Sequence, residues 1–419
     1  MEYQKIECNG YDLHLIKNKK FHTIELRIYF TENVSKEKIT YYNALVDMMT
    51  DKTKKYDSRE KLIKKCQELY SLYPRASSLR HGNILSTYFG MSIINSSYID
   101  NNILENISLL KEIVLNPLVE NGAFLENDLD IEKDILKSET NTVIEEPKLY
   151  SNTKLLSLLS SNENYALTGF SDIDLLNSMT GQSLYAFYKR MLNESKIDIY
   201  VSGNIHNEEE IIKAIKENFV FKKNHVELLD PRTYHHIKKD EPSFYKETKK
   251  YQQSKLALAY KAFDLGKDEY RYAFSVFNAL VGGGTNSLLM QNVRERHSLC
   301  YYVGSYINNL DSLLVVNSGI NKENSEKTLK LIKDSIQNVQ QGKFSKKELK
   351  NAKTEYLISI ENIIENNRNI IDYYYGMNLF GSDDIDTKIE KIKKITKEDI
   401  INVAKKIKLD TIFYLEGEL

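Results

Sequence analysis

Gly282-Gly283-Gly284-Thr285-Asn286-Ser287-Leu288-Leu289-Met290-Gln291-Asn292-Val293-Arg294-Glu295-Arg296-His297-Ser298-Leu299-Cys300-Tyr301-Tyr302-Val303-Gly304-Ser305 is the most specific run in the chain. Three glycines make a turn, residues 288–294 read as a helix, and residues 301–306 alternate as a strand does. A glycine-rich turn that opens a helix also suits a phosphate. Here no Gly-Lys-Ser/Thr follows and the GxGxxG pattern is missing, so a phosphate cradle is excluded.

Upstream of this run, residues 256–262 read as a strand and 270–280 as a helix that runs into the glycines. Downstream, 312–318 is a strand, 325–340 and 346–367 are long helices, 398–406 is the last helix and 411–415 the last strand. The first half follows the same order. Residues 12–16 and 23–29 read as strands, and 38–49 as a helix with Tyr42, Leu45, Met48 and Met49 on its apolar face. Ser58 is an N-cap for the next helix. Residues 76–95 read as a strand pair, 102–115 and 125–145 as helices, 183–192 as a helix and 198–202 as a strand. The halves echo each other locally. Met179-Thr180 precedes a helix and then Ile199-Tyr200-Val201-Ser202-Gly203; Ile395-Thr396 precedes a helix and then Phe413-Tyr414-Leu415-Glu416-Gly417. An offset of half the chain suggests two copies of one domain. Residues 204–242 are polar and interrupted by Pro231, as a helix and an interdomain linker would be. The expected division is an N-terminal domain over 1–220, a linker over 221–245 and a C-terminal domain over 246–419.

Composition narrows the function classes. The chain has 419 residues, too many for one ordinary core. Its formal net charge of -1 gives no electrostatic case for nucleic acid or an anionic membrane. Three scattered cysteines, Cys8, Cys66 and Cys300, argue against a disulfide framework and a cysteine-based zinc site. The first residues show no signal peptide, and no apolar run approaches bilayer length. A cytoplasmic protein without a transmembrane segment is the expectation.

The 282–305 run resembles the C-terminal-domain signature of the insulinase-like (pitrilysin, or inverzincin) peptidases: a glycine-rich turn, a helix, "Val-Arg-Glu-Lys", a short turn and "Leu-Ala-Tyr" opening a strand. Leu69-Tyr70 with Arg75-Ala76-Ser77-Ser78, and Tyr165-Ala166-Leu167-Thr168-Gly169 with Met179-Thr180, resemble further stretches of that family in the same order. The resemblance implies an α+β fold: two structurally similar domains, each a mostly antiparallel sheet packed with helices, together forming half of a clamshell. It also implies roles for Arg294 and Tyr301, which match the family's pair that binds substrate backbone and stabilises the tetrahedral oxyanion.

Active members carry His-x-x-Glu-His on an N-terminal-domain helix, with two zinc ligands and a water-activating glutamate, and a later glutamate completes the site. Alignment on Thr53-Lys54-Lys55-Tyr56 places those slots at Asn43, Val46 and Asp47, and the later glutamate at Glu139. Val46 cannot act as a base, and Asn43 and Asp47 are hard oxygen ligands poorly suited to zinc. The eight histidines are scattered, and adjacent His235 and His236 point different ways. No metal or other cofactor is therefore expected in this chain.

Family members without the motif commonly pair with a motif-bearing paralogue that supplies zinc. The expectation is a non-zinc-binding subunit of a heterodimeric peptidase, inactive alone, that contributes Arg294, Tyr301, a chamber wall and β-addition of a peptide substrate. Purified alone, such a chain can form a homodimer. Two alternatives remain open: a non-catalytic scaffold or peptide-binding protein, and an independent metallopeptidase with a different metal site.

Overall fold

The computed structural model describes residues 1–71, 73–95, 98, 103–159, 164–222 and 226–418. Asn102, where the third helix was expected to start, and residues 223–225 of the expected linker lie outside these. The chain forms two compact units. Unit 1 comprises 1–140, 169–229 and 364–375; unit 2 comprises 141–168, 230–363 and 376–419. Neither unit is a single run of sequence, because each takes one segment from within the other's half of the chain.

Unit 1 contains strands β1 (Glu2–Glu7), β2 (Asp12–Lys17), β3 (Thr23–Asn33), β4 (Arg75–His81) and β5 (Ile84–Ile94), a two-residue hairpin of β6 (Val119–Glu120) and β7 (Ala123–Phe124), and β8 (Lys196–Gly203). Its helices are α1 (Lys36–Asp51), α2 (Arg59–Glu68), α3 (Ile103–Leu115), most of α4 (Glu126–Glu145), α6 (Ile173–Ser178), α7 (Gly181–Glu194) and α8 (Glu208–Asn218). Unit 2 holds β9 (Ser243–Lys249), β10 (Ser254–Ala262), β11 (Cys300–Asn308), β12 (Leu313–Ile320) and β13 (Ile407–Gly417). Its helices include α5 (Pro147–Leu159), α9 (Phe274–Asn278), α10 (Ser325–Gln340), α11 (Lys346–Glu361), α13 (Ile385–Lys394) and α14 (Lys397–Lys405). Helix α12 (Asn367–Phe380) belongs to unit 1 through Tyr375.

The two sheets share one topology. Unit 1 has the order β1-β2-β8-β3-β5-β4, and unit 2 the order β9-β13-β10-β12-β11 read from its other edge. Apart from β1, both sheets arrange their strands as first-fifth-second-fourth-third. In both, the first and fifth strands pair in parallel and every other pair is antiparallel. The Thr-helix-strand-Gly echo falls on equivalent places. Thr180 and Thr396 each close a capping box, on α7 and α14, and the strands that follow, β8 and β13, are the fifth strands of their sheets.

All nine residues of β10 are buried, and period-two alternation divides them between two cores. Leu256, Leu258 and Tyr260 meet Phe274 and Phe277 of α9, whereas Ala257 and Ala259 pack with Leu155 and Leu159 of α5. Helix α5 lies in the first half of the sequence and supplies the apolar cover for this second face. In unit 1 the corresponding cover is α12, which buries Ile370 and Ile371 and adds polar and aromatic contacts. Arg27 Nη1 donates to Asp372 Oδ1 at 2.6 Å, Arg368 pairs with Glu25 at 3.4 Å, and Tyr375 stacks on Tyr29 with centroids 4.1 Å apart. Asn367 Nδ2 donates to the carbonyls of Thr23 and Ser202 at 3.0 and 2.9 Å.

Several elements differ from expectation. The single helix expected over 346–367 ends at Glu361; a 3-10 turn, Asn362–Glu365, separates it from α12. Asn366 accepts from the Arg368 amide at 2.9 Å, and asparagine side chains compete in this way with helix hydrogen bonds. Strands β1 and β9 are polar edge strands without the apolar alternation that marks the others. Helices expected over 270–280 and 288–294 contain wide π turns, Glu269–Ala273, Ala279–Gly283 and Met290–Glu295. Spacing over one or two turns does not separate α from π winding.

Candidate functional site

Helix α1 starts at Ser35, whose Oγ accepts from the Lys38 amide at 3.2 Å. Thr40 Oγ1 accepts from the Asp172 amide at 3.0 Å, and Lys36 pairs with the Asp172 carboxylate. These bonds fix α1 against residues 169–172. Beside them lies an open pocket of about 240 Å³, lined by Asn43, Val46 and Asp47 of α1, Glu139 of α4, Ala76–Ser78 of β4 and residues 169–171. The four positions aligned to a zinc site thus share one pocket within unit 1.

The chemistry of those residues does not fit zinc. Asn43 Nδ2 donates to the Gly169 carbonyl at 2.9 Å and to Ser171 Oγ at 3.0 Å, so its amide is committed to the loop. Val46 is buried and carries no proton acceptor. Asp47 faces a second carboxyl, Glu132, two helical turns before Glu139 on α4. Burial pushes the Asp47 carboxyl up. Burial first, then the Asp47 charge and hydrogen bond, push Glu132 up to about 8. Two carboxyls so placed titrate as a pair, the charge of one making the other harder to ionise. The sequence reading passed over Glu132; its seven-residue spacing from Glu139, which puts both on one helix face, was the available signal.

Among the described residues, one other group has ligand-like spacing: Asp12, His14 and Asp198. His14 Nδ1 shares a hydrogen bond with Tyr3 at 2.8 Å, and Nε2 bonds to Asp198 at 3.1 Å. Lys5 pairs with Asp12 at 2.9 Å and Lys196 with Asp198. Both ring nitrogens and both carboxylates are thus engaged within the sheet.

Arg294 and Tyr301 flank the turn that leads into β11 in unit 2. Arg294 is exposed, its Nη1 lies 3.7 Å from Met290 Sδ, and it forms no ion pair among the described residues. Tyr301 is 54% exposed, and its hydroxyl donates to Asn321 Oδ1 at 3.2 Å. Neither side chain is part of a core. Each glycine before them meets a close neighbour. A Cβ on Gly282 would lie 2.6 Å from Ser305 Oγ, one on Gly283 2.5 Å from Asn278 Nδ2, and one on Gly284 1.8 Å from Glu355 Oε2.

A family model described as the peptidase M16 inactive domain matches residues 178–356, which include this whole turn. A probable inactive metalloprotease of Bacillus subtilis, YmfF, is 29% identical over 99% of this chain and 97% of its own. Residues 178–356 thus match the inactive domain of the M16 peptidases, and along its whole length the chain is similar to an inactive metalloprotease homologue. An uncharacterised zinc protease of B. subtilis, YmxG, is 26% identical over 58% of each chain. The crystal structure of a conserved protein from Enterococcus faecalis superposes with a TM-score of 0.92 at 28% identity, covering 99% of both chains. A peptidase M16 inactive domain from Pseudomonas fluorescens gives a TM-score of 0.80 at 17% identity over 100% of this chain and 99% of its own, a likeness of fold. The pocket beside α1 is lined by Asn43, Val46, Asp47 and Glu139 and by no histidine or cysteine. No helix among the described residues is long and apolar enough to cross a membrane.

Proposed function

We propose that this chain is the zinc-free subunit of a two-subunit peptidase, inactive alone and working with a zinc-bearing M16 paralogue. The observation that carries this reading is a contrast within the chain. The α1 pocket offers no histidine, no cysteine and no base at Val46, whereas Arg294 and Tyr301 are exposed beside a tightly packed glycine-rich turn. In the complex, Arg294 holds substrate backbone, and the guanidinium and phenol donate to the oxyanion that forms beside the partner's metal. The substrate is a short peptide or unfolded segment. Strand β4 lies at the edge of its sheet beside the α1 pocket, and its unpaired side suits addition of an extended peptide.

Reconstitution with the zinc-bearing paralogue tests this. Arg294→Ala and Tyr301→Phe are each expected to lower kcat about 10²–10³-fold, the usual effect of removing one oxyanion donor. Complex formation should be unchanged. Full activity in both variants contradicts the donor role; co-purification without any hydrolysis favours a scaffold.

A further inference from the structure

Unit 2 contains a second cavity, of about 460 Å³, remote in chemistry from the α1 pocket. Its walls come from the glycine-rich turn, the end of β11 and helix α11. Glu355 supplies the one carboxylate of the lining, and no lysine or arginine lines it. Glu355 Oε1 accepts from Thr285 Oγ1 at 3.3 Å. Its other oxygen occupies the space a Cβ on Gly284 would need, so the bare glycine is what lets the carboxylate sit there. Among the described residues Glu355 forms no ion pair. Asn309 Oδ1, also in the lining, is buried without a donor, while Asn309 Nδ2 donates to Ser275 Oγ at 3.3 Å. Ile307 and the half-exposed Ile358 provide apolar wall.

The cavity thus offers an uncompensated carboxylate and an unsatisfied amide oxygen against hydrocarbon. Its complement is a group with several N–H donors, a positive charge and a short apolar stem. An anion would meet Glu355 with no cation to offset it. A divalent metal would find one carboxylate where such ions take six or more oxygens. We propose that this cavity is a binding subsite for the cationic group of a peptide, either a lysine or arginine side chain or a free N-terminal amine. The proposal rests on the peptide-binding part of the reading above and not on hydrolysis. Because it is measured on the full chain alone, its failure leaves the partner reading standing.

The test is calorimetric titration with three probes: Ac-Ala-Ala-Lys-Ala-amide, its norleucine analogue, and that analogue with a free N-terminus. At least one cationic probe should bind about tenfold or more tightly than the neutral one, the effect of one charge-assisted contact. Which cationic probe does so identifies the source of the charge. Glu355→Gln should erase the preference and Glu355→Asp should keep part of it. Ile358→Lys, at a half-exposed position on the cavity wall, should place its own ammonium in the cavity and also abolish binding. Equal affinity for all three probes, no binding of any, or a preference that survives Glu355→Gln overturns the proposal.

Discussion

Glu132 and Asp47 show what became of the α1 pocket at the level of single side chains. A catalytic zinc helix presents imidazoles and a base; this one presents an amide tied to a loop and a carboxyl that burial pushes up beside a second raised carboxyl. The pair has a thermodynamic signature. An unfolded glutamate titrates near 4.5, and in the fold Glu132 is held up at about 8. A carboxyl raised in the folded state adds stability below its unfolded pKa and loses it as pH rises through the folded one. Glu132 should therefore weaken the fold progressively between pH 4.5 and 8. Glu132→Gln keeps the shape without the ionisation. Urea midpoints from pH 5 to 9 should fall less steeply for Glu132→Gln than for the natural chain. Identical slopes would mean that the Glu132 carboxyl is not raised in the fold. Asn43→Ala removes two hydrogen bonds to residues 169–171 and should cost about 1–2 kcal/mol in the same assay.

At the level of elements, α5 and α12 cover equivalent faces of the two sheets by different physics. Leu155 of α5 is fully buried among Ala257, Ala259, Phe413 and Leu415, so Leu155→Ala should cost about 2–5 kcal/mol, insensitive to salt. Asp372 of α12 is half exposed and receives hydrogen bonds from Arg27 and Tyr29. Asp372→Ala should cost about 1–3 kcal/mol, with a difference that shrinks in 1 M salt. Urea unfolding at two ionic strengths checks both; a salt-dependent Leu155 effect would contradict the assignment. These helices also mark where sequence reading stopped. The central strands were legible because burial on alternate faces leaves a period in the residues, and Ser58, Thr180 and Thr396 were legible as caps. Helix α5 was passed over: its apolar contacts lie with strands from about 100 to 260 positions later, which nothing local reveals. The break between α11 and α12 rests on asparagine side chains that leave helical periodicity almost intact. The pocket residues Asn43, Val46, Asp47 and Glu139 came from alignment to a family pattern. For Glu132 the sequence offered only its spacing from Glu139; its pairing with Asp47 needed the fold.

For the whole molecule, the repeated sheet lets the proposed function assign a different part to each unit. In the proposed reading the two units of one topology have different parts: unit 1 carries the α1 pocket and unit 2 the signature turn with Arg294 and Tyr301. The proposed complex places the metal on the partner, so activity should require both chains, and titrating this chain into a fixed amount of the paralogue should saturate at one to one. Activity of the paralogue that is indifferent to this chain would remove the need for it. The most direct measurement is zinc content, by elemental analysis, of this chain purified alone without a metal-binding tag. The account predicts near-zero zinc and no peptidase activity. One zinc per chain, retained through dialysis and accompanied by hydrolysis of a peptide, would contradict it and require a metal site elsewhere in the chain.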